Sequence, residues 1–161
     1  MSGLKAGVAG SVVAAVVILI LLPLIATLGV SHSLNLSLMT FLVALAVYVY
    51  LSLSKSLGEP WFIRLGPPVI EVSAAGVALL WAGQQVSATL IAVAYWGEPV
   101  MGYFIYKKLR EVSRLWVALF LGSAAAYAYT LPVVLLGLWQ VPAAADAAKL
   151  AALMYFLGRL R

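Results

Sequence analysis

The mostly apolar run 69–106 is 38 residues long, and it is followed at once by the densest basic cluster in the chain, Lys107, Lys108, Arg110 and Arg114. A helix crosses the hydrocarbon core of a bilayer with about 20 apolar residues. The run is therefore too long for one span. Its polar interruption, Gly83-Gln84-Gln85, divides it into two. Similar runs fill the rest of the sequence. Hydrophobic residues make up 65% of the 161 residues and charged residues 9%, against roughly 25% charged in a soluble domain. A water-soluble core of this size cannot hide so much apolar surface, so the solvent implied is lipid. The run lengths and the lack of alternation select helices over a barrel.

The runs predict one transmembrane domain with spans at about 6–30, 36–53, 67–83, 86–106, 115–138 and 143–157. The N-terminal run is longer than the 7–15-residue apolar core of a signal peptide and reads as a retained first span. Charge placement tests this count. Lys5, Lys55, Arg64, the cluster 107–114, Arg159 and Arg161 all fall on one side, and only Lys149 lies inside a span. The first, third and fifth links carry no Lys or Arg. A five-span chain would scatter the same charges over both sides. The expectation is an all-α integral membrane protein, a bundle of six transmembrane helices with both termini cytoplasmic, multi-pass in the cell membrane.

The net charge of +5 is no nucleic-acid signature, because the basic residues sit at the ends of apolar runs, where headgroups explain them. The chain has no cysteine, which excludes disulfides, thiolate metal sites and CxxC chemistry. The single histidine, His32, lies in a polar turn and supplies too few donors for a metal or haem. No cofactor is expected.

Several local features carry structural expectations. Gly10-xxx-Ala14 gives the first span a small-residue face for a neighbouring helix, within this chain or in a partner subunit. Pro23 is a candidate kink, and Asn35-Leu36-Ser37 matches a glycosylation acceptor close to the bilayer. Trp61 and Arg64 fit an interfacial anchor. Pro60, Pro67 and Pro68 are expected to stop any helix through the second link, which puts Glu71 in the first turn of span 3. Gly97 and Pro99 should weaken or kink span 4, and 139–142 should form the last turn. Gly-Glu-Pro occurs at 58–60 and 97–99, and Glu-Val-Ser-xxx-Val-Ala-Leu at 71–79 and 111–119. These offsets suggest a parallel repeat of helical hairpins, an arrangement that small transporters use.

Ionisable groups inside a bilayer are expensive and are functional candidates by default. Glu98 lies nine residues before Lys107, about 13 Å inward at 1.5 Å per residue. Pro99 frees the carbonyl of Tyr95 from its helical donor. Glu98 with Tyr95, Trp96 and Tyr103 has the makings of a cation or proton site, and its charge is costly unless a cation is near. Asp146 and Lys149, three apart on one helix, can neutralise each other. If that pair points into the bundle it suits a zwitterionic or charged solute, with Tyr127, Tyr129, Gln84 and Gln85 as candidate neighbours.

A last-span lysine preceded by Tyr129-xx-Pro132-Val133-Val134 resembles the end of a microbial rhodopsin, where the lysine carries retinal. The likeness covers about 35 residues. It departs in having six spans rather than seven, and an acid three rather than four residues before the lysine. The departures outweigh the likeness, and retinal is not expected here.

No nucleophile elbow, HExxH, phosphate-binding glycine loop or lipid-headgroup motif is present. The acids fall at different depths, which speaks against an intramembrane enzyme. The first expectation is a small polytopic transport protein, a permease or channel for a small solute or ion. The second is a non-catalytic membrane subunit or scaffold, and the third a lipid-modifying enzyme. The partners expected are the lipid bilayer and either a second copy or a partner membrane subunit. A transporter needs a cavity reaching Glu98, a scaffold needs an exposed face of Gly and Ala, and a lipid enzyme needs an opening near Glu71 and Glu111.

Overall fold

The computed structural model describes residues 3–84 and 86–160. It is all-helical: α1 Gly3–Leu28, α2 Ser33–Leu57, α3 Pro60–Trp81, α4 Ser87–Leu109, α5 Arg114–Thr130 and α6 Gln140–Arg159, with a 3-10 turn, Leu131–Leu136, after α5. Five of the helical stretches are long and apolar enough to cross a membrane. The other helix, α4, carries Glu98 mid-helix and Lys107 and Lys108 in its last turn. Short links turn each helix back along its predecessor. Each packs on its neighbours in sequence, and α1 closes the ring on α6. The seam between α2 and α3 is the most sparsely packed of the six.

All the helices but the fifth are longer than the apolar runs predict, and prolines explain the largest differences. The second link shrinks to Gly58 and Glu59, because Pro60 starts α3 at a position that needs no N–H donor. Pro67 and Pro68 lie inside α3 and do not stop it. A proline at position 67 leaves the carbonyl of Ile63 without its helical donor, and the Tyr50 hydroxyl of α2 donates to that carbonyl at 2.9 Å. Because α3 begins seven residues early, Glu71 is not in its first turn. It sits mid-helix and exposed, opposite the face that carries buried Phe62, Gly66, Gly76, Val77 and Leu80.

Helix α4 runs unbroken through Gly97 and Pro99. A Cβ at Gly97 would lie 2.6 Å from a Val69 methyl, so glycine is what lets α3 and α4 approach here. Helix α1 likewise continues through Pro23. The fifth helix stops short of the predicted span, since the chain tightens into the 3-10 turn at Leu131 with Pro132 in its first turn. Pro142 belongs to the first turn of α6, not to a link, because a proline there removes no helical hydrogen bond.

The small-residue face of α1 is used within the chain: Gly7 meets Leu53 and Gly10 meets Val49 and Tyr48, all on α2. His32 caps α2, with its Nδ1 accepting from the Leu34 N–H at 3.3 Å. Asn35 is fully buried, and its amide donates to the carbonyls of Leu24 at 3.2 Å and Gly29 at 2.7 Å. It is a tie between α1 and α2, closed to a glycosyltransferase. The two Gly-Glu-Pro copies occupy different places, one at the α2–α3 link and one in mid-α4.

The alternation of helix directions gathers Lys5, Lys55, Arg64, Lys107, Lys108, Arg110, Arg114 and Arg159 at one end of the ring. There Lys107 Nζ lies 3.8 Å from Glu59 Oε1. Apolar packing fills both ends of the bundle around a central cavity. One cluster, with Leu22, Met39, Leu80 and Tyr127, lies toward the opposite end. Two others, around Leu109 with Phe156 and around Leu53 with Phe62, lie toward the basic end.

Replacing Asn35 by Ala removes both bonds to the end of α1. It should destabilise the bundle by about 1–3 kcal/mol, the cost of buried carbonyls losing their donor. A thermal unfolding midpoint in detergent that did not move would show those carbonyls to be satisfied without Asn35.

Candidate functional site

Two sequence candidates, Glu98 on α4 and the Asp146/Lys149 pair on α6, form one cluster. Lys149 Nζ lies 2.8 Å from Glu98 Oε1 and 2.7 Å from Asp146 Oδ1. Helix lengths explain the meeting. Glu98 is eleven residues before the end of α4 at Leu109, about 16 Å along the helix. Lys149 is nine residues after the start of α6 at Gln140, about 13 Å. The helices run in the same direction and the two distances are counted from opposite ends of the bundle, so together they match the ~30 Å of a hydrocarbon core. Both groups stand near mid-depth.

The three members differ in access. The side chain of Asp146 is 0% exposed, that of Lys149 4% and that of Glu98 32%. The ammonium donates to Glu98 and makes an equally close charge contact with Asp146 Oδ1. The Tyr127 ring completes the ammonium's surroundings at 4.6 Å from its centroid, a cation–π distance. Tyr95 packs edge-on against Tyr127 at 5.6 Å. The residues gathered are thus Glu98, Asp146, Lys149, Tyr127 and Tyr95.

The other candidates lie elsewhere. Trp96 is half-exposed on the outer surface and packs on Tyr129, itself 68% exposed. Tyr103 is also half-exposed, stacks on Tyr106 and lies under Lys107 near the basic end. Gln84 is exposed in the α3–α4 link, and Gln85 lies outside the described residues.

Glu98 and Lys149 form part of the wall of a cavity of about 250 Å³ in the middle of the ring. All six helices contribute to it, α2, α3 and α4 most of all. Its wall is chiefly apolar, with Tyr50, Phe62, Tyr95 and Phe120 as its aromatic members. Ser11 and Ser73 also line it, but their hydroxyls donate to carbonyls of their own helices at 3.0 and 2.9 Å. A smaller void of about 80 Å³ lies toward the end opposite the basic cluster, reaching Pro132 and Leu135 in the 3-10 turn. Ile18, Met39, Ile91 and Tyr95 line both spaces and stand between them.

Sequence reading named the charged residues and did not foresee the wall. Serines and aromatics inside uniformly apolar helices give no periodic cue to the face they occupy. Among the described residues no group of three or more His, Cys, Asp or Glu side chains has metal-binding geometry.

A Lys149→Met variant strands two carboxylates beside one another at mid-depth. It should lose about 3–5 kcal/mol of stability, as when one partner of a buried ion pair is removed. Adding Asp146→Asn should restore part of that loss, measured as resistance to unfolding in mixed detergent micelles; no recovery in the double variant would mean that Asp146 does not share the ammonium.

No protein-family profile, curated protein or solved structure matches this chain.

Proposed function

We propose that this chain is a small polytopic transport protein that passes a small solute through the centre of the ring. The observation that carries the reading is the Glu98–Lys149–Asp146 cluster at mid-depth, of which Glu98 and Lys149 lie on the wall of a cavity. Charges at that depth are expensive and are commonly found where a solute or ion passes. The smaller void beyond Tyr95 supports a route interrupted by a narrow layer of Ile18, Met39, Ile91 and Tyr95. In this reading α4 is a sixth span, held between α3 and α5. Both termini face the cytoplasm of a cell membrane, following the basic end of the bundle.

A second reading, a non-catalytic membrane subunit, is favoured by the outer face of α3. Glu71 is exposed there between Pro68 and Ala75, with Ala78 one turn further on. A carboxylate facing lipid calls for a companion, and small neighbours permit close approach. The lipid-enzyme reading gains nothing, since Glu71 points outward and Glu111 lies exposed in the α4–α5 link, both away from the cavity.

Proteoliposomes exposed to osmotic steps of small neutral and charged solutes should re-swell faster than empty liposomes for at least one solute. Ala46→Phe, which fills the cavity, should abolish the difference, and Glu98→Gln should reduce it. Re-swelling no faster than in empty vesicles across the series, with the protein well folded, would reject transport in favour of the subunit reading.

Orientation has its own test, because the chain has no native cysteine. A cysteine replacing Ser31 should react with an impermeant thiol reagent from outside intact cells, and one replacing Lys108 only after lysis. The reverse pattern would invert the topology.

A further inference from the structure

The cluster on the cavity wall is not electrically balanced. It holds two carboxylates and one ammonium, so its fully charged form carries one negative charge too many in a medium that tolerates none unpaired. Among the described residues Lys149 is the only basic one on the cavity wall, and its ammonium is already held between Glu98, Asp146 and the Tyr127 ring. An anion entering the cavity would find no free cation. A cation would find the excess charge, presented by Glu98, the member with the largest exposed fraction. It would also find the aromatic rings of Tyr50, Phe62, Tyr95 and Phe120 in an otherwise apolar wall. Aromatic faces attract ammonium groups, most strongly when water is excluded. A hard metal ion would instead need several oxygen ligands, and among the described residues the cavity offers only Glu98 as a carboxylate on its wall.

From this we propose that the central cavity binds a small monovalent organic cation, of the amine or quaternary-ammonium class, in competition with a proton. The proposal rests on the transport reading for the cavity's role and adds the solute class. Binding requires the excess negative charge. Either a proton or the organic cation neutralises it, so the two exclude one another. The groups that face the charge are Tyr95 from α4, Tyr127 from α5 and Asp146 and Lys149 from α6; from α2, Tyr50 reaches the same cavity wall with its hydroxyl on the Ile63 carbonyl. Helices α1 and α3 bring only the hydroxyls of Ser11 and Ser73 to the wall.

The test is equilibrium binding of benzyltrimethylammonium to the purified full chain in lipid nanodiscs, beside its neutral isostere neopentylbenzene and the anion benzoate. The cation should bind saturably and benzoate not at all. Glu98→Gln and Asp146→Asn should each weaken cation binding roughly tenfold or more while leaving the neutral isostere unaffected, since each brings the cluster to neutrality. Asp146 has no exposure to the cavity, so its effect reports charge and not contact. Lowering the pH should weaken cation binding in the wild type. Ala46→Phe should remove it by filling the space. If either acid variant fails to fold, judged by gel filtration, the wild-type comparison of cation, isostere and pH still decides. Equal binding of cation and isostere, binding indifferent to pH, or no binding of the cation by folded protein would overturn the proposal. Solute flux without cation binding would reject the solute class and leave transport standing, whereas absence of both would reject the two readings together.

Discussion

The Lys149 ammonium is the point on which the arrangement of helices depends. It stands 2.8 Å from Glu98 and 2.7 Å from Asp146, with the Tyr127 ring at 4.6 Å. In a bilayer none of these charges has water to fall back on. Helix α4 carries Glu98 in its middle, and it is the long helix among the described residues that length and composition alone do not mark as a span. Its place in the bundle relies on a cation from another helix at the same depth. That requirement sets α4 and α6 in register with α5 between them, which leaves the other face of α6 to close the ring on α1.

The remaining helices cannot be drawn together by apolar surface, since lipid tails satisfy that surface equally well. Shape and a few polar ties act instead. Glycine at position 97 lets α4 approach Val69 of α3. Asn35 stitches the end of α1 to the start of α2 through the carbonyls of Leu24 and Gly29. The Tyr50 hydroxyl takes the Ile63 carbonyl that Pro67 releases, and Trp81 Nε1 donates to Thr40 Oγ1 at 3.1 Å. The last two ties both join α2 to α3. They bridge the most sparsely packed seam of the ring, where two helices that contribute heavily to the cavity wall meet.

Most of the helical order was legible in the sequence, because apolar runs and basic clusters mark where helices begin and end in lipid. The break at Gly83-Gln84 was legible for the same reason: α3 ends at Trp81 and α4 begins at Ser87. Boundaries at prolines were not. Pro60, Pro67 and Pro142 read as stops in one dimension, but Pro60 and Pro142 fall in first turns that need no donor, and the carbonyl freed by Pro67 is satisfied from α2. Asn35 read as a surface acceptor because its local triplet carries no record of the carbonyls eleven and six residues before it. In the site, the charged residues were legible as improbable in lipid. Their union was not, because Glu98 and Lys149 are 51 positions apart and two small shifts in helix ends decide whether they share a depth. Aromatic character did not separate Tyr95 and Tyr127, which join the cluster, from Trp96, Tyr103 and Tyr129, which lie on the outside.

A structural lock between α4 and α6 would need one carboxylate for one ammonium. Glu98 and Lys149 alone would supply it, with the hydrogen bond that fixes the register. Asp146 adds a second carboxylate that is entirely buried and shares the one ammonium already engaged by Glu98, and burying a second charge without a second counter-charge is a cost that packing does not return. A well-packed apolar core in place of all three charges would often be the more stable solution. Economy of folding therefore accounts for the pair but not for the third member. What Asp146 changes is the sign of the cavity. With it the wall of the central cavity is anionic whenever both acids are charged, and without it the same wall is neutral.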